Sequence, residues 1–308
     1  MNFPYSNNNK RYHTLDYFYK NKFNCKVIKI SLNAGFSCPH LKDGGCIYCS
    51  KSGSGDFAGN INDDLVTQFQ NIKNIMNKKW PNGKYIGYFQ ARTNTYAPLN
   101  VLKEKYETIL KIKDVIGISI ATRPDCITDE CLEYLSELNK KTYLTIELGL
   151  QTIHEKTSEL INRGHNLKCF TDMVNKLREK NINVVVHIIN GLPYETKEMM
   201  IETVKYLNNL DIQGIKIHML HVLKNTKLGE IYEKENFNII TKEEFIEIVC
   251  EQLQYLRKEI VIHRISGDPN INDLIAPTWL IKKFCVLNDI DKYMAKNDIV
   301  QGQKVEDF

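Results

Sequence analysis

The chain has 308 residues, of which 43% are hydrophobic and 25% are charged, so it can bury a sizeable core. Its net charge of +4 is too small to indicate a nucleic-acid-binding protein by itself. The sequence has no run of 18 apolar residues and no apolar N-terminal segment, so it predicts neither a transmembrane helix nor a signal peptide. We therefore expect a cytoplasmic protein that does not associate with membranes.

Residues 1–26 form a lead-in segment in which basic residues alternate with aromatic ones. Such a mixture suits a surface that binds single-stranded RNA. Alternatively, the aromatic side chains pack against the rest of the protein. Both interpretations stay open at this point.

After the lead-in, apolar strand patterns alternate with amphipathic helix patterns. The predicted strands cover residues 27–32, 85–90, 115–121, 143–149, 183–189 and 214–220, with a short seventh at 261–264. The predicted helices cover residues 63–79, 99–110, 128–140, 167–180, 196–210, 241–257 and 279–295. Alternation of this kind predicts a parallel sheet with right-handed crossovers.

Six βα units and a partial seventh are fewer than the eight of a closed barrel. We therefore predict an α/β fold, a partial (β/α)6 TIM-like open barrel with a C-terminal helical extension. Residues 27–230 would form the barrel and residues 231–308 the extension packed on it, within a single domain overall.

Alternation along the predicted strands directs several polar side chains toward the barrel interior. They are Arg123, Glu147, Gln151, His187, Lys216 and His218. Charged groups are costly to bury, and a purely structural barrel would carry Val, Ile and Leu there. We therefore predict a functional site at the carboxyl ends of the strands. Individual members could still be structural, for example a hydrogen-bonded His187 or a buried Glu147–Lys216 ion pair.

The loop after the first strand contains three cysteines, Cys38, Cys46 and Cys49, in the spacing C-x7-C-x2-C. Three interpretations compete: an iron–sulfur cluster with one iron left open, a zinc site completed by His40, and three free thiols. The position of the loop beside a polar barrel interior favours the cluster. The other six cysteines are scattered, and we expect small buried hydrophobic residues at those positions, without disulfides.

Several segments at the strand ends resemble those of a known family. They are Leu32-Asn-Ala-Gly-Phe-Ser-Cys-Pro39, Gly44-Gly-Cys-Ile-Tyr-Cys49, Tyr88-Phe-Gln-Ala-Arg-Thr-Asn-Thr95, Ala121-Thr-Arg-Pro-Asp-Cys126, Glu147-Leu-Gly-Leu-Gln-Thr152, Ile161-Asn-Arg-Gly-His165, Gly191-Leu-Pro193, Lys216-Ile-His-Met-Leu-His221 and Leu274-Ile-Ala-Pro-Thr-Trp279. Nearly the whole chain thus resembles the radical S-adenosylmethionine (SAM) superfamily, specifically its Elongator-like branch and the YhcC/YtqA family. The common superfamily spacing is C-x3-C-x2-C, and the longer first gap here matches that branch.

This resemblance implies a [4Fe–4S] cluster held by the three cysteines, and SAM as the second cofactor. One electron would cleave SAM to methionine and a 5′-deoxyadenosyl radical, which removes a hydrogen atom from the substrate. By position, the resemblance implies several SAM contacts. Gln90, Thr93 and Asn94 would bind the amino group, and Glu147 and Arg163 the ribose and carboxylate. Gly191 and Pro193 would contact the adenine, and Gln151 is a further implied SAM-binding residue. The candidates for substrate contact and catalysis are Arg123, His187, Lys216, His218 and His221.

The family resemblance also implies a substrate, the wobble uridine of tRNA, whose carboxymethylaminomethyl group is processed toward aminomethyl. An electron donor such as flavodoxin or ferredoxin would be the second partner. Two alternatives stay open: a radical SAM oxidoreductase that acts on a small metabolite, and a zinc-stabilised RNA-binding module.

Overall fold

Seven parallel strands form a single sheet, and their order across the sheet is their order along the chain. One short strand, β7 (Val222–Leu223), follows the sixth of them in sequence and lies outside this sheet. The computed structural model describes residues 3–6, 9–53, 55–235 and 237–305. The strands of this sheet are β1 (Val27–Leu32), β2 (Lys84–Phe89), β3 (Val115–Thr122), β4 (Tyr143–Gln151), β5 (Asn183–Asn190), β6 (Gly214–Met219) and β8 (Val261–Ile265). Each pairs in parallel with the next, and within the described residues β1 and β8 do not pair with each other. The predicted α/β open partial barrel is confirmed, and the short seventh strand completes its sheet.

The helices follow the strands as predicted, and three more are present: one before β1, one after β4 and one after β6. They are α1 (Leu15–Phe23), α2 (Leu65–Asn77), α3 (Leu99–Leu110), α4 (Asp129–Asn139), α5 (Glu155–Leu160), α6 (Leu167–Glu179), α7 (Lys197–Leu207), α8 (Lys227–Glu235), α9 (Lys242–Tyr255) and α10 (Lys283–Lys296). Side-chain caps begin several of them: Thr128 and Asn166 accept hydrogen bonds in the first turns of α4 and α6. Thr241 and Glu244 form a capping box at the start of α9. No helix in these described ranges is long and apolar enough to cross a membrane.

The elements that sequence reasoning missed are short. They are α1, α5 and α8, together with an antiparallel pair, β7 (Val222–Leu223) and β9 (Leu274–Ala276). Strands of two and three residues are too short to show alternation, and α5 has only six residues. In α1 the apolar positions are aromatic and stand among lysines, which gives no clear helical stripe.

Helix α1 covers the amino-terminal end of the sheet. Tyr19 is 3% exposed and packs with Val27 and Ile86 on the interior side of β1 and β2. Phe23 meets the ring of Tyr143, the first residue of β4, edge to face at 5.3 Å. The aromatic side chains of this part of the lead-in therefore pack on the barrel, and they close the end opposite the cysteine loop. Met1, Asn2, Asn7 and Asn8 of the lead-in lie outside the described residues.

The segment before α1 is held by the end of the chain. Gln301, which is buried, accepts a hydrogen bond from the His13 amide and donates to the carbonyls of Arg257 and Ile260, each at 2.8 Å. The His13 carbonyl in turn accepts from the amide of Ile262 in β8 at 2.8 Å. The segments around His13 and Gln301 are thereby held together beside β8.

Candidate active site

The cysteine loop leaves the carboxyl end of β1 and turns back within a few residues. Pro39–Asp43 form one turn of 3₁₀ helix, which ends at Gly44 and Gly45 with φ of 85° and 68°. These angles lie in the left-handed region that glycine adopts without a steric penalty. The turn brings Cys38, Cys46 and Cys49 to one cavity of about 310 Å³. The three predicted cluster ligands therefore share one site at the mouth of the barrel.

Residues 161–164, which follow α5, fix the far side of this loop. The Asn162 amide donates to the carbonyls of Asp43 at 3.0 Å and Gly45 at 2.8 Å. The Asn162 carbonyl lies 2.6 Å from His40 Nε2. Gly164 has φ of 81°, and a Cβ at this position would lie 2.6 Å from the His40 ring. In the sequence this segment carries part of the family resemblance, with Arg163 as an implied SAM contact. Its support of the cysteine loop is a contact between segments distant in sequence, which no local pattern indicates.

The backbone of Ile47, between Cys46 and Cys49, is bound on both sides. Its amide donates to the Ile161 carbonyl at 3.1 Å, and its carbonyl accepts from the Leu228 amide at the start of α8 at 2.8 Å. Two elements distant in sequence thus position the C-x2-C half of the motif.

The thiols of this loop are largely withdrawn from water. Burial, followed by the proximity of Cys46 and Cys38, raises the pKa of Cys49 to about 12. Burial also raises the pKa of Cys46, against the effect of a hydrogen bond from Tyr48. Thiolates here would need positive charge from a metal group. In the described part of the chain, no three or more His, Cys, Asp or Glu side chains are arranged to hold one metal ion. A cluster is held differently, because each of its cysteines binds a different iron.

The floor of the cavity is a network around Glu147. Its Oε1 accepts hydrogen bonds from Lys29 at 2.6 Å and Ser119 at 2.7 Å. Its Oε2 accepts from Lys216 and lies 2.7 Å from His187 Nε2. Although burial opposes it, the charges of Lys216 and Lys29 hold the pKa of Glu147 well below its ordinary value. Glu147 is therefore ionised, and the Glu147–Lys216 ion pair considered from the sequence is present.

Lys216 lies where this network meets the cavity. Its ammonium donates to the Tyr88 hydroxyl at 2.9 Å and stands 4.3 Å from the centre of that ring. Burial lowers the pKa of Lys216 to about 7, with Glu147 opposing and Lys29 reinforcing the shift. Sequence reasoning missed Lys29 and Tyr88. The alternation of Val27, Lys29 and Ser31 with apolar residues in β1 would have found the lysine.

A second polar group lines the cavity after β6 and β8, at the sheet edge opposite β1. We call it the β6–β8 group; its members are His218, His221, Arg264, Gly267 and Asp268. Arg264 and Asp268 pair at 2.6 Å, and Lys283 from α10 reaches the same carboxylate at 2.8 Å. Burial and then the charge of Arg264 lower the pKa of His221 to about 4, so this imidazole is neutral.

Most of the sequence-predicted residues line this cavity. They are Cys38, Cys46, Cys49, Gln90, Thr93, Arg123, Glu147, Gln151, Arg163, His187, Lys216, His218 and His221. Within the described cavity lining, Asn94, Gly191 and Pro193 do not appear. The Asn94 amide instead donates to the Ala121 carbonyl at 2.8 Å, and Gly191 faces Met219 and Ile240. The contacts predicted for these three residues stay predictions.

The two arginines at the mouth are engaged with the backbone. Arg163 donates to the carbonyls of Leu150, Thr152 and His165 at 2.6–2.9 Å, and its remaining terminal nitrogen is buried without a hydrogen-bond partner among the described residues. Arg123 binds Asp125 through two nitrogens, at 3.0 and 2.8 Å, and donates to the Arg163 carbonyl at 2.7 Å. That nitrogen lies 3.6 Å from the Glu155 carboxylate, so both arginines are held by backbone carbonyls and a neighbouring carboxylate.

Comparison with known proteins agrees with this geometry. Residues 37–207 match the radical SAM superfamily, and residues 212–296 match its C-terminal domain. The chain is 52% identical to YtqA of Bacillus subtilis over 98% of this chain and 95% of that protein. It is 32% identical to YhcC of Escherichia coli over 91% of each chain. The chain belongs to the radical SAM superfamily, in the family of YtqA and YhcC.

Solved structures support the fold of this radical SAM protein. It superposes on the archaeal Elp3 of Methanocaldococcus infernus with a TM-score of 0.68 at 18% identity, covering 90% of this chain and 64% of that one. Methylornithine synthase gives a TM-score of 0.53 at 12% identity, covering 90% and 85%. Elongator complex protein 3 of Saccharomyces cerevisiae is 27% identical over 156 residues, which are 50% of this chain and 28% of that protein.

The protein is thus a SAM-dependent enzyme whose cofactors are a [4Fe–4S] cluster and SAM, and the zinc-stabilised RNA-binding module is set aside. The donor set fits: three thiols line one cavity, which leaves one iron open for SAM. When bound, these groups would supply the chemistry of hydrogen-atom removal by a carbon radical. The chain holds the thiols in place through residues 161–164, presents a polar floor beneath them, and encloses the site within the barrel.

Proposed function

We propose that this radical SAM enzyme acts on the wobble uridine of tRNA and processes a carboxymethylaminomethyl group toward aminomethyl. The proposal rests on the similarity of the chain to YtqA and YhcC and on the position of the cysteine loop at the mouth of the barrel, where a group on a large substrate can reach the cofactors. A single-stranded loop can present an unstacked base to such a site.

The rim of the cavity supports the same proposal. Leu41 and Phe57 line it and are 47% and 55% exposed. Exposed apolar side chains at a mouth offer a surface on which a neighbouring base can stack. Lys42 and Lys51, both exposed in the same region, are placed to contact the phosphate backbone. The aromatic residues of α1 lend no such support, because Tyr19 and Phe23 pack at the opposite end of the barrel.

The experiment is nucleoside mass spectrometry of tRNA from a strain that lacks the gene. We expect carboxymethylaminomethyluridine to accumulate and its aminomethyl product to disappear. Reintroducing the wild-type gene should reverse both changes, and the Cys46→Ala variant should not. An unchanged wobble-nucleoside profile would reject the tRNA proposal and favour the alternative, an oxidoreductase that acts on a small metabolite.

We also propose that flavodoxin or ferredoxin supplies the electron. The purified enzyme with SAM and chemically reduced flavodoxin or ferredoxin should form 5′-deoxyadenosine. Failure with both proteins, together with activity when dithionite is the reductant, would point to a different donor.

A further inference from the structure

The charged side chains on the floor and on the β6–β8 side of the cavity do not balance. Two carboxylates, Glu147 and Asp268, are shared among four cationic side chains. These are Lys29, Lys216, Arg264 and Lys283. Lys29 and Lys216 both bind Glu147, and Arg264 and Lys283 both bind Asp268. These cationic side chains are 8–37% exposed, and a surplus of positive charge in a partly enclosed cavity favours the binding of an anion.

The neighbouring imidazoles do not supply that anion, and they leave binding capacity unused. His221 Nε2 is buried without a hydrogen-bond partner in the described part of the protein. Gly267 stands beside both imidazoles, because a Cβ there would lie 3.0 Å from His221 and 3.3 Å from His218. An orphaned polar atom beside surplus cations indicates that a ligand completes the site.

Arg264 is the cation best placed to bind such a ligand. One terminal nitrogen donates to Asp268, and none of the hydrogen bonds among described residues uses the other two nitrogens of its guanidinium. The side chain is 37% exposed and lines the cavity. A guanidinium offers a planar pair of donors that matches a carboxylate.

From this arrangement we infer that the β6–β8 group binds a carboxylate of the substrate, with Arg264 as the principal contact and His221 as the second. The site shares one cavity with the cysteine loop and is formed by residues at the ends of β6 and β8. This inference rests on the proposed function for the identity of the substrate. The carboxymethyl end of the modified uridine supplies a carboxylate of the required kind.

The first test measures initial rates of the reconstituted holoenzyme on tRNA that carries carboxymethylaminomethyluridine. We expect Arg264→Gln to raise KM for this tRNA by about 10- to 100-fold, the loss of one charge-assisted hydrogen bond. Arg264→Lys should recover part of the affinity. Arg178→Gln is the matched control, because Arg178 pairs with Asp211 at 2.8 Å on the outer surface. An unchanged KM for tRNA in Arg264→Gln, or a rise in KM for SAM instead, would overturn the assignment.

The second test uses small ligands in place of tRNA and compares the wild type with Arg264→Gln. Sarcosine carries the secondary amine and carboxylate of the modification, methylamine lacks the carboxylate, and inorganic phosphate is a different anion. Calorimetry on the holoenzyme should show saturable binding of sarcosine and none of methylamine. Tighter binding of phosphate than of sarcosine would overturn the carboxylate assignment. If sarcosine binds in an Arg264-dependent manner while no tRNA is processed, the carboxylate site stands and the proposed tRNA function fails.

Discussion

At the scale of single residues, the cavity combines three partly buried cysteines on one side with an ionised carboxylate between two lysines on its floor. Neither group is stable by itself in a site of low polarity. The thiols need metal ions to become thiolates, and Glu147 needs Lys29 and Lys216 to stay charged. The cavity therefore has a cofactor side, which carries the thiols, and a floor, which carries the paired charges.

Replacing Cys46 by alanine should abolish the cluster. The variant loses one of three protein ligands, and two thiolates do not retain four irons. We expect iron and sulfide contents close to zero after anaerobic reconstitution, and no 5′-deoxyadenosine. Cys285→Ala is the control, since Cys285 is exposed on α10 and should leave both contents unchanged. A Cys46→Ala protein with a full complement of iron and sulfide would refute the ligand assignment.

Lys216 should make stability depend on pH. Its pKa is lowered to about 7 in the folded protein, so the unfolded chain holds one more proton between about pH 7 and the ordinary pKa of 10.5. Stability therefore rises with pH in this window, by up to about 1.4 kcal/mol per pH unit, and stays at its lower level below pH 7.

The measurement compares urea unfolding of the wild type and Lys216→Met at pH 6.5, 7.5 and 8.5. The difference reports on Lys216 together with its effect on Glu147 and His187, whose pKa values it lowers. The free energy of unfolding should rise with pH more steeply in the wild type than in the variant. Parallel pH profiles would show that Lys216 keeps its proton throughout.

At the scale of elements, the cysteine loop depends on a segment more than 110 residues away in sequence. Asn162→Ala removes two hydrogen bonds to the loop, those to Asp43 and Gly45. We expect lower iron occupancy and faster loss of the cluster to a chelator, with the fold retained. Asn139→Ala, which removes a single exposed hydrogen bond at the end of α4, is the control. Equal rates of iron loss in both variants would contradict the support proposed for this segment.

Helix α1 should contribute to stability mainly through its aromatic packing. Tyr19→Ala should lower the free energy of unfolding by about 3 kcal/mol, as expected for a large buried side chain. Tyr19→Phe should be nearly neutral, because the Tyr19 hydroxyl is buried with no partner among the described residues. Urea unfolding of the two variants checks this difference. A Phe variant as unstable as the Ala variant would show that the hydroxyl, through a water, contributes the stability.

At the scale of the whole molecule, Gln301 connects the beginning and the end of the chain. Gln301→Ala leaves the His13 amide and two carbonyls without partners, so the free energy of unfolding should fall by about 2 kcal/mol or more. Gln303→Ala, at an exposed position two residues away, should cost less than about 1 kcal/mol. Equal losses would mean that water replaces the buried contacts.

Patterns that repeat within one element were readable from the sequence. The alternation of strands and helices, the interior positions of Glu147, His187 and Lys216, and the cysteine spacing all rest on short-range regularities. Contacts between segments that are distant in sequence produce no repeating pattern that could be read from the sequence. The support of the cysteine loop by Asn162 and the location of Tyr19 at the closed end follow only from the three-dimensional arrangement.

The closure of the barrel by α1 and the Glu147 network has a consequence for selectivity. A substrate enters from the mouth, and a carboxylate that binds Arg264 fixes one end of it on the β6–β8 side. The number of bonds between that carboxylate and each carbon then determines which carbon lies beside the cysteine loop. Analogues with one methylene group more or less in this arm should therefore bind with similar affinity and present a different hydrogen atom for removal.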